Sequence, residues 1–104
     1  MTPEGKVKKA VRELLNRYKG LYQYWPVPSG YGRATVDVLG CYQGHFFAIE
    51  VKAPGKLPTA RQRTVLDEIV QSGGTIFVID DVRSYTLASL EECLNRWGTI
   101  GLRA

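Results

Sequence analysis

The chain is organised around residues 32–52, which read GRATVDVLGCYQGHFFAIEVK. Both ends of this stretch are rich in β-branched and aromatic residues, and Gln43-Gly44 near its middle suits a two-residue turn. The stretch is therefore predicted to form an antiparallel hairpin. A turn at those two residues places Asp37 directly opposite Glu50.

This register brings two carboxylates together on one face of the hairpin. Cβ atoms directly opposite each other are about 4.5–5.5 Å apart, and like charges there destabilise a sheet unless something compensates them. A divalent cation would compensate Asp37 and Glu50, and Lys52 would share their face because strand side chains alternate. The alternative is a solvated strand face, which antiparallel sheets often have. The opposite face is apolar and is predicted to enter the core through Val36, Val38, Ile49 and Val51.

The length of 104 residues fits one compact domain spanning residues 1–104. No stretch approaches the ~20 apolar residues of a membrane span, and no cationic segment leads into a long apolar one, so a soluble, cytoplasmic protein is expected. Cys41 and Cys93 are far apart and lack the spacing of a zinc site. Both are therefore expected to be reduced thiols.

Basic residues outnumber acidic ones. The 14 Lys and Arg residues against 10 Asp and Glu residues give a formal net charge of +4, and basic side chains are concentrated in residues 6–19 and 52–63. This balance favours a polyanionic partner, although solvated helix faces would also explain part of it.

The first part of the chain predicts a helix and a strand. Thr2 suits an N-cap and Pro3 the first helical position, apolar residues then recur at helical spacing, and Gly20 suits a stop. A helix is therefore expected over residues 3–19. The aromatic segment 21–27 is expected to form a strand that ends at its prolines.

After the hairpin the pattern predicts a helix, a strand and a helix. Residues 59–62 match a capping box, 75–79 a strand parallel to the Glu50 strand, and 89–92 a second capping box, with Gly98 ending the last helix. The order α-β-β-β-α-β-α predicts an α/β fold with a mixed β-sheet flanked by helices. Inward-facing positions are expected at Val65, Leu66, Ile69 and Val70 and at Leu90, Cys93, Leu94 and Trp97.

Two segments outside the hairpin contain further candidate site residues. Glu4 extends the apolar stripe of the first helix, not the polar face that contains Lys8, so it is either a site residue or a charge that compensates the helix dipole. Residues 29–33 are a glycine-rich loop in which Tyr31 would stack on a base and Arg33 would contact a phosphate. A plain turn is the alternative.

Four polar features occur in order along these elements: an acid on the first helix, Asp37 on one strand, Glu50-Val51-Lys52 on the next, and Gln62 opening the following helix. This combination resembles the PD-(D/E)XK nuclease superfamily. Within it, the small size, Gly32 before Asp37 and the Pro/Gly loop after Lys52 resemble the virus-type replication and repair nuclease domain, VRR-NUC. The resemblance covers nearly the whole chain and implies a restriction-endonuclease-like core. One departure, which the family tolerates, is that Val36 and not proline precedes Asp37.

The resemblance implies a Mg²⁺ site, at which Mn²⁺ would substitute. Asp37, Glu50 and the Val51 carbonyl would be the ligands, and this set suffices because Mg²⁺ prefers few carboxylates and keeps several waters. Glu4 would complete the site through water.

Two further residues would act beside the metal. Lys52 would orient or deprotonate the attacking water or stabilise charge on the phosphate, with a salt bridge to the acids as the alternative. Gln62 would position Lys52 or a phosphate, with helix capping alone as the alternative. His45 lies away from the acids in this register and is expected at the surface or against DNA.

These inferences predict a metal-dependent, structure-selective DNA endonuclease with Asp37, Glu50, Lys52 and Gln62 as catalytic residues. The resemblance suggests a four-way (Holliday) junction as substrate and a viral or phage replication-repair role in the host-cell cytoplasm. A flap or duplex nuclease, a sequence-selective restriction or mismatch enzyme, and a non-catalytic nucleic-acid-binding module are the alternatives. DNA contacts are expected from Tyr31, Arg33, Lys56 and Arg61.

A homodimer with two-fold symmetry is also expected. One chain contains one cluster of acids, whereas symmetric resolution of a four-way junction needs two coordinated cuts. Large apolar residues beyond those that a small core easily covers would supply the interface, unless they fill the core of a monomer. They are Tyr22, Tyr24, Trp25, Phe46, Trp97, Ile100 and Leu102.

Overall fold

The structure, a computed structural model, describes residues 1–27, 35–82 and 85–103, without the side chains of residues 85 and 100–103. The predicted α/β class and element order are confirmed. The elements are α1 (Pro3–Leu15), β1 (Tyr22–Tyr24), β2 (Val38–Tyr42), β3 (His45–Val51), α2 (Ala60–Gln71), β4 (Thr75–Ile79) and α3 (Tyr85–Arg103).

The four strands form one mixed sheet in the order β1-β2-β3-β4. The first two neighbouring pairs are antiparallel, and β4 lies parallel to β3. Val38 pairs with Ile49 and Tyr42 pairs with His45, so the predicted hairpin register is confirmed. Gln43 and Gly44 have positive φ angles of 49° and 81°, as a tight hairpin turn requires.

Helices cover both faces of the sheet. The apolar stripes of α1 and α3 pack on one face, against side chains such as Val38, Phe47 and Ile49. On the other face α2 buries Leu66 against Ala48. The main cluster consists of Val7, Val11, Leu14, Leu15, Val38, Tyr42, Phe47, Ile49, Val51, Ile79, Leu90, Cys93, Leu94 and Trp97.

The first helix begins as predicted but ends earlier. Thr2 accepts a hydrogen bond from the Gly5 backbone N–H at 3.0 Å and caps the helix. The predicted end at residue 19 is wrong, because the chain tightens into a turn in which the Tyr18 N–H donates to the Leu15 carbonyl at 3.2 Å. The β1 strand is likewise shorter than the predicted 21–27.

The last helix begins before the predicted capping box at 89–92 and continues past Gly98, so both predicted boundaries are wrong. Gly98 instead lies where α3 packs closely against Tyr42 of β2. A Cβ atom at this position would lie 2.8 Å from the Tyr42 hydroxyl. A larger residue at this position would therefore displace the Tyr42 hydroxyl where α3 approaches the sheet.

Val36 is buried as predicted but on the other face of the sheet, and the predicted core position of Val70 is wrong. Val36 packs under α2 with Ala48 and Leu66, away from Val38, because residue 37 forms a bend that interrupts the alternation of the strand. Val70 is exposed at 49%. As predicted, neither cysteine is in a disulfide, and Cys93 is buried.

None of the helices in the described parts of the chain combines the length and apolarity needed to cross a membrane.

Candidate active site

The open end of the β2–β3 hairpin, opposite its turn, contains the two predicted carboxylates. Asp37 directly precedes β2, and Glu50 is the second-last residue of β3. Continuing the observed register one step beyond Val38 and Ile49 places Asp37 opposite Glu50.

The Asp37 side chain serves as a hydrogen-bond acceptor in place of a backbone carbonyl where the β2–β3 ladder ends. Its Oδ2 accepts a hydrogen bond from the Val51 backbone N–H at 2.7 Å. Its Oδ1 lies 3.7 Å from the Lys8 Nζ of α1. A short, charge-assisted bond to the backbone fixes this carboxylate against the edge of β3.

Glu50 is the buried charged residue of the site, with 3% of its surface exposed. Its Oε1 accepts a hydrogen bond from the Gln62 Nε2 at 3.1 Å. Burial, and then the charge of the nearby Asp37, raise the pKa of Glu50 to about 8, while Lys52 opposes the shift and Glu4 adds to it.

The second oxygen of Glu50 lacks a partner. Oε2 is buried and accepts no hydrogen bond from any described group. Two ionised carboxylates are acceptors only, so Asp37 supplies a donor to this oxygen only if one of the two acids carries a proton. An unsatisfied buried charge is costly, and either a proton or a cation would relieve it.

The backbone beside the pair fits a cation as well. In an antiparallel ladder the N–H and C=O of one residue are directed to the same neighbouring strand. Because the Val51 N–H meets Asp37, the Val51 carbonyl is directed to the same side.

A cation here would have few protein ligands. Within residues 1–27, 35–82 and 85–103, no group of three or more His, Cys, Asp or Glu side chains is placed to hold a metal ion. The available oxygens are those of Asp37 and Glu50, the Val51 carbonyl and water. This hard, oxygen-only set suits Mg²⁺, which retains several waters.

Gln62 combines the two roles that the sequence left open. Its Oε1 accepts from the Thr59 backbone N–H at 2.9 Å and its backbone N–H donates to the Thr59 hydroxyl at 3.2 Å, which completes the predicted capping box. Its Nε2 donates to Glu50. The helix cap therefore holds the amide group in place to orient a carboxylate, and Lys52 is not its partner.

Lys52 directly follows β3, and its backbone N–H donates to the Ile79 carbonyl at 2.9 Å. The ammonium group is near enough to lower the pKa of Glu50. In the described part of the chain Lys52 is not ion-paired, so the salt-bridge alternative finds no support.

Glu4 and Lys8 lie at the same site on α1. The Lys8 Nζ is 3.5 Å from the Glu4 Oε2, and it also faces Asp37. The placement of Lys8 on a separate polar face was wrong. The i,i+4 spacing of Glu4 and Lys8 was the available sign that the two share a face.

The predicted DNA contacts divide into two groups. Lys56 and Arg61 are exposed, in the turn after β3 and in the first turn of α2, beside Gln62. Tyr31 and Arg33 lie outside the described residues.

His45 lies at the opposite end of the hairpin from the acids. Its ring stacks on Trp97 with centroids 4.4 Å apart and an interplanar angle of 2°. The expected position away from the site is confirmed, and the contact gives His45 a packing role.

The sequence matches no protein-family model, and no curated protein matches it significantly.

Proposed function

We propose that the protein is a Mg²⁺-dependent DNA endonuclease with a restriction-endonuclease-like fold of the VRR-NUC type. The observation that supports this most is the pairing of Asp37 with a buried Glu50 whose Oε2 has no described hydrogen-bond partner. A binding module gains nothing from two acids that repel phosphate, whereas a metal-dependent hydrolase needs them.

The protein would hold the metal through Asp37, Glu50 and the Val51 carbonyl, with Glu4 acting through water. When bound, Mg²⁺ supplies an acidified water and neutralises charge on the phosphate. Gln62 keeps Glu50 oriented, and the Val51 N–H does the same for Asp37. Both carboxylates are thus held before any ligand arrives, which favours catalysis by preorganisation.

Lys52 is the proposed acid–base or electrostatic group. It follows Glu50 by two residues and its charge acts on that carboxylate. A flexible ammonium without a described ion-pair partner is free to approach a phosphate oxygen or an attacking water.

DNA is the proposed substrate because the net charge is +4 and exposed Lys56 and Arg61 border the site. Such residues supply non-specific phosphate contacts.

A branched substrate, such as a four-way junction, and a homodimer that makes paired cuts complete the proposal. Two of the residues expected at the dimer interface belong to the core instead: Trp97 is buried, and Trp25 packs against the main core cluster. Tyr22, Tyr24 and Phe46 are exposed. Ile100 and Leu102 lie outside the described side chains.

The test is cleavage of end-labelled duplex, flap and four-way DNA with Mg²⁺, Mn²⁺ or EDTA. Asp37→Asn and Glu50→Gln are expected to reduce the initial rate by at least roughly 10³-fold while DNA binding stays equal or tightens, because each change removes a metal ligand and a charge that repels phosphate.

Asp67→Asn is the matched control, since it makes the same chemical change at an exposed carboxylate of α2 that is paired with Arg63. It should cleave like the wild type. Metal-dependent cleavage that survives in a folded Glu50→Gln variant would overturn the proposed site, and binding without cleavage by the wild type would favour the non-catalytic module.

A further inference from the structure

The edge strand β1 presents two exposed aromatic rings on one face of the sheet. On the face that α2 covers, the helix packs on Ala48 of β3 and on Ile76 and Val78 of β4. At the other side of the same face, Tyr22 and Tyr24 of the edge strand β1 are exposed at 64% and 52%. We call these two residues the tyrosine platform.

The orientation of the tyrosine platform follows from the residue between its members. Gln23 is directed to the α1 face, where its Nε2 donates to the Asn16 Oδ1 at 2.7 Å and its Oε1 accepts from the Trp25 Nε1 at 2.8 Å. Because strand side chains alternate, Tyr22 and Tyr24 are directed to the opposite face.

The tyrosine platform continues into the candidate active site. Tyr24 pairs with Leu39, and Asp37 lies two residues before Leu39 on the neighbouring strand. With about 3.4 Å per residue along a strand and about 4.8 Å between strands, the Cα atoms of Tyr24 and Asp37 are about 8 Å apart. Tyr22 lies about 7 Å further along β1.

We propose that Tyr22 and Tyr24 bind unpaired nucleobases of the substrate strand by stacking, directly beside the phosphodiester bond held at Asp37 and Glu50. The choice of ligand rests on the proposed nuclease function. Exposed aromatic rings on a sheet face are an established means of stacking successive bases, and every base offers a face to them.

A second copy of the chain is the less favoured occupant of the tyrosine platform. A stable protein interface takes about 800 Å² and 20–30 residues from each partner, far more than Tyr22, Tyr24 and the exposed Phe46 provide. A copy seated on this face would also cover Asp37 and Glu50, so the two chains of the proposed homodimer would meet at another surface. A nucleic-acid strand instead suits both the net charge of +4 and the proximity of the carboxylates.

A substrate preference follows. Cleavage would occur where unpaired nucleotides adjoin a duplex, since the bases next to the cut must be unstacked to reach the tyrosine platform. Fully paired DNA would be bound through its phosphates alone.

The test is fluorescence anisotropy in EDTA with a labelled single-stranded DNA and a blunt duplex of the same sequence. The double variant Tyr22→Ala/Tyr24→Ala should weaken single-strand binding about tenfold or more and change duplex binding less than about twofold. Tyr22→Phe/Tyr24→Phe should bind like the wild type because the rings remain. Val70→Ala, which removes exposed apolar surface from α2, is the control for non-specific effects.

Unchanged single-strand binding by a folded alanine variant would overturn the tyrosine platform. So would light scattering that shows a wild-type dimer and a monomeric alanine variant, because the surface would then belong to a second copy. The nuclease proposal fails separately. If the wild type does not cleave any substrate but the alanine variant loses single-strand affinity, the tyrosine platform is supported and the nuclease proposal is not. If cleavage requires Asp37 and the alanine variant binds and cleaves like the wild type, the nuclease proposal is supported and the tyrosine platform is not.

Discussion

The two ends of the β2–β3 hairpin differ in whether their side chains have packing and hydrogen-bond partners. At the turn end, Gln43 and Gly44 adopt the positive φ angles that the turn needs, and His45 stacks on a buried Trp97. At the open end, Asp37 replaces a backbone partner, and Glu50 is buried with one oxygen that lacks a described partner.

This difference separates stability from chemistry within one hairpin. Local rules of turn geometry and packing agree at the turn end, as expected where a sequence only has to specify its fold. The open end breaks the rule that buried polar atoms are hydrogen-bonded, because Glu50 Oε2 has no described partner, and such violations are concentrated at functional sites. Substitutions at the turn end should therefore change folding, and substitutions at the open end should change activity.

The strongest test of the stable end is Trp97→Ala. Trp97 is 7% exposed and contacts both His45 and Phe47, whose ring centroid lies 6.1 Å away. Removing the side chain should lower the free energy of unfolding by about 3–5 kcal/mol, because a cavity remains in the core. Urea denaturation measures the loss, and cleavage per folded molecule should be preserved. A loss below about 1 kcal/mol would contradict the assignment of stability to this end.

Lys52→Ala tests the other end. Turnover should fall by roughly 10²-fold or more, the scale of a positioned acid–base or charge-stabilising group, with little change in unfolding free energy. The Mg²⁺ concentration at half-maximal rate should change much less than turnover, since Lys52 is not a ligand. Lys9→Ala removes an exposed ammonium from the outer face of α1, away from the site, and serves as the control. Equal turnover in the two variants would remove Lys52 from the mechanism.

The raised pKa of Glu50 predicts a pH-dependent stability in the absence of metal. Between the ordinary value of 4.5 and the folded value of about 8, the folded state holds a proton that the unfolded state has lost. Stability contributed by this proton is complete below 4.5 and is lost as the pH rises toward 8, with a slope of up to about 1.4 kcal/mol per pH unit.

Unfolding of the wild type and of Glu50→Gln in EDTA across this pH range isolates the effect, since other groups contribute to both proteins. The wild type should lose stability relative to the variant as the pH rises. Added Mg²⁺ should offset the loss most at the alkaline end, where the proton no longer competes with the metal. Parallel curves for the two proteins would show that burial does not perturb Glu50.

The sequence predicted the hairpin register and the order of elements because both depend on local information. The Gln43-Gly44 turn sets the register, so the pattern of residues alone was enough to place Asp37 and Glu50 together. The capping box of α2 was equally local. The double use of Gln62 was not predicted as one arrangement, because its contact with Glu50 depends on how α2 packs on the sheet.

Several errors arise where the role of a residue depends on the tertiary structure. Gly98 matched a helix stop, yet α3 continues past it and the glycine packs against Tyr42. Val36 matched the alternation of the strand in sequence, yet the bend at Asp37 reverses its face. Lys8 was assigned to solvent because helical periodicity alone does not reveal which strand end lies beneath the helix.

Lys8 therefore provides the smallest and most specific test of the open end. Its ammonium lies 3.7 Å from the Asp37 Oδ1 and 3.5 Å from the Glu4 Oε2, both partly exposed to solvent. It thus competes electrostatically with a metal at the carboxylates. Lys8→Gln should lower the Mg²⁺ concentration at half-maximal rate by roughly two- to fivefold, the range of a solvent-screened ion pair.

Lys9→Gln makes the same charge change on the outer face of α1, where Lys9 pairs with Glu13, and should have no comparable effect. If both variants shift the metal requirement equally, the cause is net charge and not the position of Lys8. If Lys8→Gln instead raises the requirement, Lys8 supports the site and does not compete with the metal.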